Sequence, residues 1–491
     1  MNLAELSIQE AGGMLRDGSI TSQDLTLDAL DRISAGDGSI HAFIRIDRNA
    51  ALTAARQADS ELRSGIDRGD LHGIPYGLKD IFDARGWPTT CGSRICDGIA
   101  ASDSAVVERL QAAGAILLGK LATFEFAIGG PSLELPWPPA RNPWDSSRQT
   151  GGSSSGSAAA IAAGYTRLTI GSCTAGSIRG PAAWCGAVGL KPTFGLVSRR
   201  GCHPLAPSLD HCGPLTRNVH DSAIALQALA GRDTLDPASA DVPPRTYTSD
   251  LEKGVAGLRI GVPRAFFESA PNLSDDARRG IENTLSALAG QGARIRTVTL
   301  PPFGTFLSCV RVIMAYEMYA MHRTHLRGRL DDLATLTTVR FLAGLAVDPE
   351  DYRLALKLQR WLTTEVDRAL AEFDGFVTAI SLDTAPLVED LVQPLGWPLQ
   401  ASPFNLTGHP AMSVPIGLDQ NGMPLAVQVI GRRFDEATVL QVGRAIERSS
   451  GWEQIPLPAT IRRRDRPTGA DAGAPQAKSL SDLPDRTAEP R

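Results

Sequence analysis

Hydrophobic and polar positions follow two periods along the chain. Residues 6–34 and 51–62 repeat apolar side chains at helical spacing and contain few strand formers. From about residue 72, short apolar runs alternate with helix patterns: residues 115–118 form a buried strand pattern, and Leu258, Ile260 and Val262 alternate with polar neighbours. This order predicts an α/β fold, a single large domain with a central mixed β-sheet surrounded by helices.

The pattern also predicts the boundaries within this domain. We expect the domain to span residues 1–460, with an N-terminal helical arm over about 1–65 and a helical cap over about 303–370. The methionines and aromatic residues of the cap fit either an apolar pocket or core packing, and core packing is the more common use of such residues. Residues 461–491 are rich in Arg, Pro, Ala and Asp, and we expect a disordered tail there.

Composition excludes several classes of function. Of 491 residues, 49 are Lys or Arg and 54 are Asp or Glu, which gives a net charge of −5. The mild acidity argues against binding nucleic acid through a broad basic surface. The start of the chain lacks the pattern of a signal peptide, and no apolar run approaches about 18 residues. We therefore expect a cytoplasmic protein with no membrane or nucleic-acid partner.

The cysteines and histidines do not predict a metal site. The seven cysteines include no C-x-x-C pair, and Cys91 and Cys96 stand five apart without matching partners. This spacing predicts neither a disulfide framework nor a zinc site, and favours a reducing compartment. His322 and His325 lie three apart in a helical pattern without the carboxylate of an H-E-x-x-H motif, so we predict no metal ligand there.

Two further motifs suggest chemistry but lack the required context. Residues 114–121 match most of a phosphate-binding loop, yet their interior is apolar and Leu121 stands where a Ser or Thr binds magnesium. Residues 152–156 satisfy G-x-S-x-G with Ser154 in the middle. A nucleophile elbow needs a strand directly before it, whereas residues 131–157 form a long segment rich in Pro, Gly and Ser. Such a long connection is often functional.

Three segments indicate a catalytic site when taken together. Lys79 lies in the apolar run G-I-P-Y-G-L-K-D, where it either has a function, reaches the surface or pairs with Asp80. Residues 151–157, G-G-S-S-S-G-S, precede an Ala-rich helix pattern, which favours a packed site over a flexible linker. Residues 171–180, G-S-C-T-A-G-S-I-R-G, place Ser177 on a glycine turn whose backbone amides can form an oxyanion hole.

These segments resemble the amidase signature family. The resemblance rests on G-G-S-S-S-G followed about twenty residues later by G-S-x-T-x-G-S-I-R-x-P-A. Supporting segments are G-I-P-Y-G-L-K-D at 73, G-L-K-P-T at 189, S-L-D-x-x-G-P-L at 208, F-N-L-T-G-H-P-A at 404 and Q-V-I-G-R at 428. The resemblance covers about residues 5–450 and implies the amidase signature fold.

The resemblance implies a Ser-cisSer-Lys triad. The family's lysine falls on Lys79, its middle serine on Ser153 and its nucleophile on Ser177, 24 residues after Ser153. The peptide bond before the middle serine, Gly152–Ser153, is cis in the family. Burial would keep Lys79 neutral, so that it can take a proton from Ser153 while Ser153 takes one from Ser177.

The resemblance also assigns the groups around the nucleophile. The amides of Thr174, Ala175, Gly176 and Ser177 would bind the developing oxyanion. Residues Ala127, Ile128 and Gly129 match the loop that flanks the substrate.

Two residues depart from the family pattern. Cys173 stands where the family has an acidic residue, and Ala175 where it has a glycine. Cys173 removes a charge near the site, and Ala175 preserves the oxyanion hole only if the turn does not require a positive φ there. The position of Cys173 favours packing over a nucleophilic role.

The function implied is hydrolysis of a C–N bond in a small amide, anilide or carbamate through an acyl-enzyme, with no metal and no organic cofactor. One alternative is the glutamine-hydrolysing component of a tRNA-dependent amidotransferase. That component carries a D-P-x-x-M-Y segment, whereas Ser381–Leu387 here shows no such match. The other alternative is a binding protein with a degenerate site. The acyl and amine groups, and the formation of a homodimer, stay open.

Overall fold

One mixed sheet runs through the centre of the chain. The computed structural model describes residues 2–243, 245–390 and 398–458. Within them the strands are β1 (Phe43–Ile46), β2 (Pro75–Lys79), β3 (Ile116–Leu121), β4 (Leu168–Cys173), β5 (Val188–Lys191), β6 (His211–Thr216), β7 (Arg259–Val262), β8 (Arg294–Thr297), β9 (Gly375–Ala379), β10 (Ala411–Leu418) and β11 (Pro424–Ile430). Their order is β1-β3-β2-β4-β6-β5-β10-β11-β9-β7-β8.

The sheet combines parallel and antiparallel pairs across its width. Strand β2 runs parallel to both β3 and β4, whereas β4, β6, β5, β10, β11 and β9 are joined by antiparallel pairs. Strands β9, β7 and β8 are again parallel. Every residue of β2 and β4 is buried, because helices cover both faces there. The predicted mixed sheet surrounded by helices is confirmed.

The helices flank the sheet, and three of them lie in the region predicted as a cap. They are α1 (Ile8–Arg16), α2 (Ser22–Ile40), α3 (Arg48–Arg63), α4 (Ala105–Ala112), α5 (Ser155–Ala162), α6 (Arg179–Cys185), α7 (Val219–Leu229), α8 (Asp275–Gly290), α9 (Phe303–Gly328), α10 (Thr335–Leu342), α11 (Pro349–Glu372), α12 (Ser402–Leu406) and α13 (Glu436–Ser450). The single helical pattern over 6–34 forms two helices. Gly18 adopts a φ of 77°, and Thr21 starts the second helix with a capping box.

The region predicted as a cap contains α9, α10 and α11. Its large side chains serve different purposes. Met318 and Phe341 are buried, and Tyr316 stacks on Tyr352 with ring centroids 4.2 Å apart. Met321 and Trp361 are instead 45% and 48% exposed, so these two neither fill the core nor line a closed pocket. The methionines and aromatic residues of the predicted cap are therefore explained neither by core packing alone nor by an apolar pocket alone.

Two four-residue strands, β1 and β8, form the outer edges of the sheet. Among the described residues, no helix has the length and apolar character needed to cross a membrane. The predicted tail, residues 461–491, lies outside the described residues.

Candidate active site

The site forms where two parallel strands end side by side. Lys79 is the last residue of β2, and Cys173 is the last residue of β4. Because these strands pair in parallel, their carboxyl ends meet at the same edge of the sheet. The turn from 174 to 178 connects β4 to α6 and therefore lies beside Lys79.

Lys79 is fully buried and faces hydroxyl groups. Its Nζ donates hydrogen bonds to Ser153 Oγ at 2.7 Å and to Ser172 Oγ at 2.9 Å. Burial lowers the pKa of Lys79 to about 7. In the described part of the chain no carboxylate forms an ion pair with it. The interpretations in which Lys79 reaches the surface or pairs with its neighbour are wrong, because Asp80 pairs with Lys120 at 2.9 Å.

The glycine-serine segment is packed against the end of β4. The Gly152–Ser153 peptide bond is cis, as the resemblance implies. The backbone N–H of Ser154 donates to the carbonyl of Ser177 at 3.2 Å, and the Ser154 hydroxyl bonds to the backbone of Ser172. Residues 151–157 are all buried, so the segment is not a flexible linker. These contacts bring the predicted middle serine next to the turn that carries Ser177.

The turn after β4 presents Ser177 and several backbone amides. Ser177 is 9% exposed, and among the described residues its hydroxyl has no hydrogen-bond partner. The N–H groups of Ala175, Gly176 and Ser177 also have no acceptor within this part of the protein. Gly176 adopts a φ of 131°, whereas Ala175 has no positive φ. Alanine at 175 is therefore compatible with the turn, and unpaired amides of this kind are the donors that an oxyanion hole uses.

A buried carboxyl group holds the first residue of the turn. The Thr174 hydroxyl donates to Asp210 Oδ1 at 2.6 Å, and Asp210 Oδ2 accepts the N–H groups of Leu205 and Ala206 at 2.9 and 3.0 Å. Burial raises the pKa of Asp210 to about 6. Asp210 thus connects the turn to the loop before β6.

Cys173 lies beside a buried arginine. Arg179 is fully buried and donates to Gln428 Oε1 at 2.8 Å, Asn405 Oδ1 at 2.5 Å and the carbonyl of Ala401 at 2.9 Å. Its Nη2 is 3.9 Å from the sulfur of Cys173. Burial opposes ionisation of this thiol, but the Arg179 guanidinium lowers its pKa overall. Among the described residues, neutral amide oxygens and not a carboxylate therefore accept the hydrogen bonds of Arg179.

The predicted substrate loop lies between the serines and the cap. The N–H of Phe124 donates to the carbonyl of Ser153 at 3.2 Å. Further along the loop, Ala127 adopts a φ of 61°. The carbonyl of Ile128 accepts a hydrogen bond from Arg340 of α10. Thr337 of the same helix packs so close to Gly129 that no side chain would fit at this position. The loop is therefore held between Ser153 and α10.

Sequence reasoning missed three residues that support the site. Ser172 accepts a hydrogen bond from Lys79, Asp210 positions Thr174, and Asn405 joins Arg179 to the backbone of Cys173. All three fall inside the matched motifs, but a motif does not tell which of its residues touch one another. Contact between segments more than 30 residues apart could only be found from the fold.

Comparison with known proteins identifies the family. The family model described as Amidase matches residues 24–440. The chain belongs to the amidase family. It is therefore an enzyme of the class that acts on C–N bonds other than peptide bonds.

Relatives of this amidase match along nearly their whole length. The A component of glutamyl-tRNA(Gln) amidotransferase from Anaeromyxobacter sp. (strain K) is 37% identical over 490 residues, 93% of this chain and 98% of the relative. Peptide amidase of Stenotrophomonas maltophilia has a TM-score of 0.78 and 32% identity, and covers 91% of this chain and 97% of its own. A structure described as a vestigial protein complex, which reveals the origins of an s-triazine catabolic enzyme, has a TM-score of 0.85 and 33% identity over 90% and 98%.

Proposed function

We propose that the chain hydrolyses a carboxamide through an acyl-enzyme on Ser177, and that this amide is glutamine, cleaved for a partner protein. The observation that carries the proposed chemistry is the 2.7 Å hydrogen bond from buried Lys79 to Ser153, beside the turn that holds Ser177. Supporting evidence for glutamine is the 37% identity to a glutamyl-tRNA(Gln) amidotransferase component across 98% of that relative.

In the proposed mechanism, neutral Lys79 is the base. Its Nζ takes the proton of Ser153 while Ser153 Oγ takes the proton of Ser177, and Ser177 Oγ attacks the amide carbon. The carbonyl electron pair moves onto oxygen, where the amides of Thr174, Ala175, Gly176 and Ser177 stabilise the negative charge. Loss of one such donor typically costs about 3–4 kcal/mol of transition-state stabilisation.

The same groups would complete the reaction in the reverse order. The tetrahedral intermediate collapses, the C–N bond breaks, and ammonia leaves with a proton that returns from Lys79 through Ser153. Water then attacks the acyl-enzyme and gives one proton to the relay. The carboxylic acid is released, and the Ser177 hydroxyl recovers its proton.

A free-standing hydrolase of small amides, anilides or carbamates is the second candidate. It is favoured by residues Ser381–Leu387, which lack the D-P-x-x-M-Y segment of the amidotransferase component. In that case Ala127, Ile128 and Gly129 would flank a substrate that is not glutamine. The two candidates share the triad and differ in substrate and in partner.

The experiment compares purified wild type with Ser177→Ala on glutamine, an aliphatic amide, an aryl anilide and an aryl carbamate. We expect ammonia release from glutamine by the wild type and none by the variant. Thermal unfolding of the variant should match the wild type, because Ser177 makes no side-chain hydrogen bond within the described residues.

Labelling with a fluorophosphonate separates the remaining outcomes. Turnover of the anilide or carbamate but not of glutamine would replace the first candidate by the second. Labelled protein that hydrolyses nothing alone, and glutamine only with co-purified partner proteins, would support the partner-dependent form. Protein that neither labels nor turns over any amide would contradict both candidates and favour a degenerate binding protein.

A further inference from the structure

Three metal-ligating side chains meet behind the substrate loop. The sulfur atoms of Cys91 and Cys96 and a ring nitrogen of His203 all lie within 4.8 Å of one another. Among the described residues, no other group of three or more His, Cys, Asp or Glu side chains has its ligand atoms this close together. All seven cysteines are free thiols, so neither of these two is used in a disulfide.

A fourth donor with an unused ring nitrogen lies beside this group. His322 of α9 is 1% exposed and has the backbone of Pro204 near its ring, and within the described part of the protein at least one of its ring nitrogens has no hydrogen-bond partner. Its ring lies beside that of His203, with centroids 5.4 Å apart and planes at 17°. A buried nitrogen left unsatisfied is costly, so an additional ligand would account for this histidine.

We propose that Cys91, Cys96, His203 and His322 bind one divalent metal ion of the zinc class. Two thiolates and two imidazoles are a donor set that zinc binds tetrahedrally, with Zn–S and Zn–N distances of about 2.3 and 2.1 Å. Donors in such a site are about 3.4–3.8 Å apart, so the spacing of Cys91, Cys96 and His203 must contract by at most about 1 Å. His322 lies outside this group of three and must move closer to complete the site. Cys96 is partly exposed and leaves a path by which the ion can enter.

The ion would connect three parts of the fold next to the catalytic lysine. The N–H of Cys91 donates to the carbonyl of Asp80, and the N–H of His203 donates to the carbonyl of Ile81, so both ligands hold the chain that follows Lys79. The carbonyl of Cys91 accepts the N–H of Phe126 at 2.8 Å, at the start of the substrate loop.

The third part is the cap helix α9. It contributes His322, and the residue that follows its end already contacts the loop between the two cysteines, where Arg329 donates to the carbonyl of Ile95 at 3.4 Å. A bound ion would therefore fix the cap against the sheet and hold the substrate loop from behind. The ion would not touch the reacting atoms, so its role is structural.

Sequence spacing could not reveal this site. Cys91 and Cys96 lack the separation of a zinc motif, and the two histidines come from distant segments. The proposed site departs at His322 from the prediction of no metal ligand there, because the absence of an H-E-x-x-H pattern argues only against a helix that supplies two histidines. That absence does not exclude one helical histidine that joins donors from two loops.

The test measures metal affinity of the full chain, purified with a phosphine reductant and stripped with a chelator. We expect one Zn²⁺ per chain by calorimetry, and a Co²⁺ complex with the visible and thiolate charge-transfer bands of a tetrahedral site. Cys96→Ser should lower Zn²⁺ affinity at least 100-fold. Cys309→Ala is the matched control, since this thiol lies elsewhere on α9 and bonds to the carbonyl of Ala355.

A second variant tests the fourth ligand without disturbing the packing. His322→Phe keeps the stack on Phe341, whose ring lies 4.3 Å away at 9°, but removes both nitrogens. We expect at least a tenfold loss of Zn²⁺ affinity and unchanged thermal unfolding of the metal-free protein. Wild-type affinity in this variant would overturn the four-ligand site. Absence of stoichiometric binding by the reduced wild type, or equal binding by Cys96→Ser, would overturn the metal site itself, whatever the amidase activity.

Discussion

At the scale of single residues, burial is what would let Lys79 act as the proposed base without a histidine. A lysine in water is protonated at neutral pH, but burial without a paired carboxylate disfavours the ammonium form and lowers the pKa. The two hydroxyls that Lys79 contacts can exchange hydrogen bonds with either protonation state. The pKa of Lys79 therefore lies near the pH at which the enzyme is expected to work.

This pKa predicts the acid limb of the pH profile. Below pH 7 the protonated form of Lys79 cannot accept a proton, so kcat/KM should rise about tenfold per pH unit and level off above a pKa of about 7. Lys79→Met should lower kcat by roughly 100- to 10,000-fold. Steady-state kinetics from pH 5 to 10 would measure both. An unchanged acid limb in the variant would contradict the neutral-lysine mechanism.

Ser172→Ala provides the matched variant for this profile. Ser172 Oγ accepts a hydrogen bond from Lys79 Nζ and thereby favours the ammonium form. Its removal should shift the acid limb to lower pH while the plateau stays within about tenfold of wild type. A shift to higher pH would show that Ser172 stabilises the neutral amine.

At the scale of elements, the junction of β2 and β3 depends on a buried ion pair. Asp80 follows β2 and Lys120 lies near the end of β3, and both side chains are fully buried at 2.9 Å. Lys120 Nζ also donates to the carbonyl of Phe82 at 2.7 Å. The pair therefore fixes the chain directly after Lys79, the proposed base.

Breaking this pair on one side should be more harmful than replacing it. Asp80→Asn leaves Lys120 without its counter-ion and should lower the free energy of unfolding by about 3–5 kcal/mol. The double variant Asp80→Asn with Lys120→Met should regain most of that loss, since no buried charge is left unpaired. Urea unfolding measures all three proteins. Equal losses in the single and double variants would show that the ion pair contributes nothing specific.

The elements also show what sequence can predict. The segments around Lys79, Ser153 and Ser177 are distinctive in the sequence, and the resemblance to the amidase signature family assigns these three residues as the candidate triad. Ser172 breaks no pattern, since a serine in a strand is ordinary. Its contact with Lys79 depends on the parallel pairing of β2 with β4 and on their register, which periodicity does not encode.

At the scale of the whole molecule, the N-terminal arm is attached to the sheet layer by polar contacts at its first helix. Asp221 of α7 accepts the N–H of Ile8 at 2.9 Å, and Arg167 donates to the carbonyl of Leu6 at 2.7 Å. Both side chains reach the start of α1. The arm thus depends on a buried carboxyl group for its first helix.

Removal of this carboxyl group should loosen the arm. Asp221→Ala leaves the Ile8 N–H unsatisfied and should lower the free energy of unfolding by about 1–3 kcal/mol. Limited proteolysis should then cut first within residues 2–20. Asp221→Asn keeps an acceptor and should restore resistance, and Asp31→Ala, which loses only an exposed ion pair with Arg48, should behave as wild type. Cleavage elsewhere first would place the weakest attachment outside the arm.

The two outer strands have a consequence for how copies of the enzyme meet in solution. An unpaired strand edge can recruit another edge and start aggregation. Here β1 and β8 are only four residues long, and each presents exposed arginines: Arg45 on β1, and Arg294 and Arg296 on β8. Two such edges repel each other and offer few backbone groups to share. A sheet of eleven strands can therefore resist edge-to-edge association, even though β1 and β8 are its outermost strands.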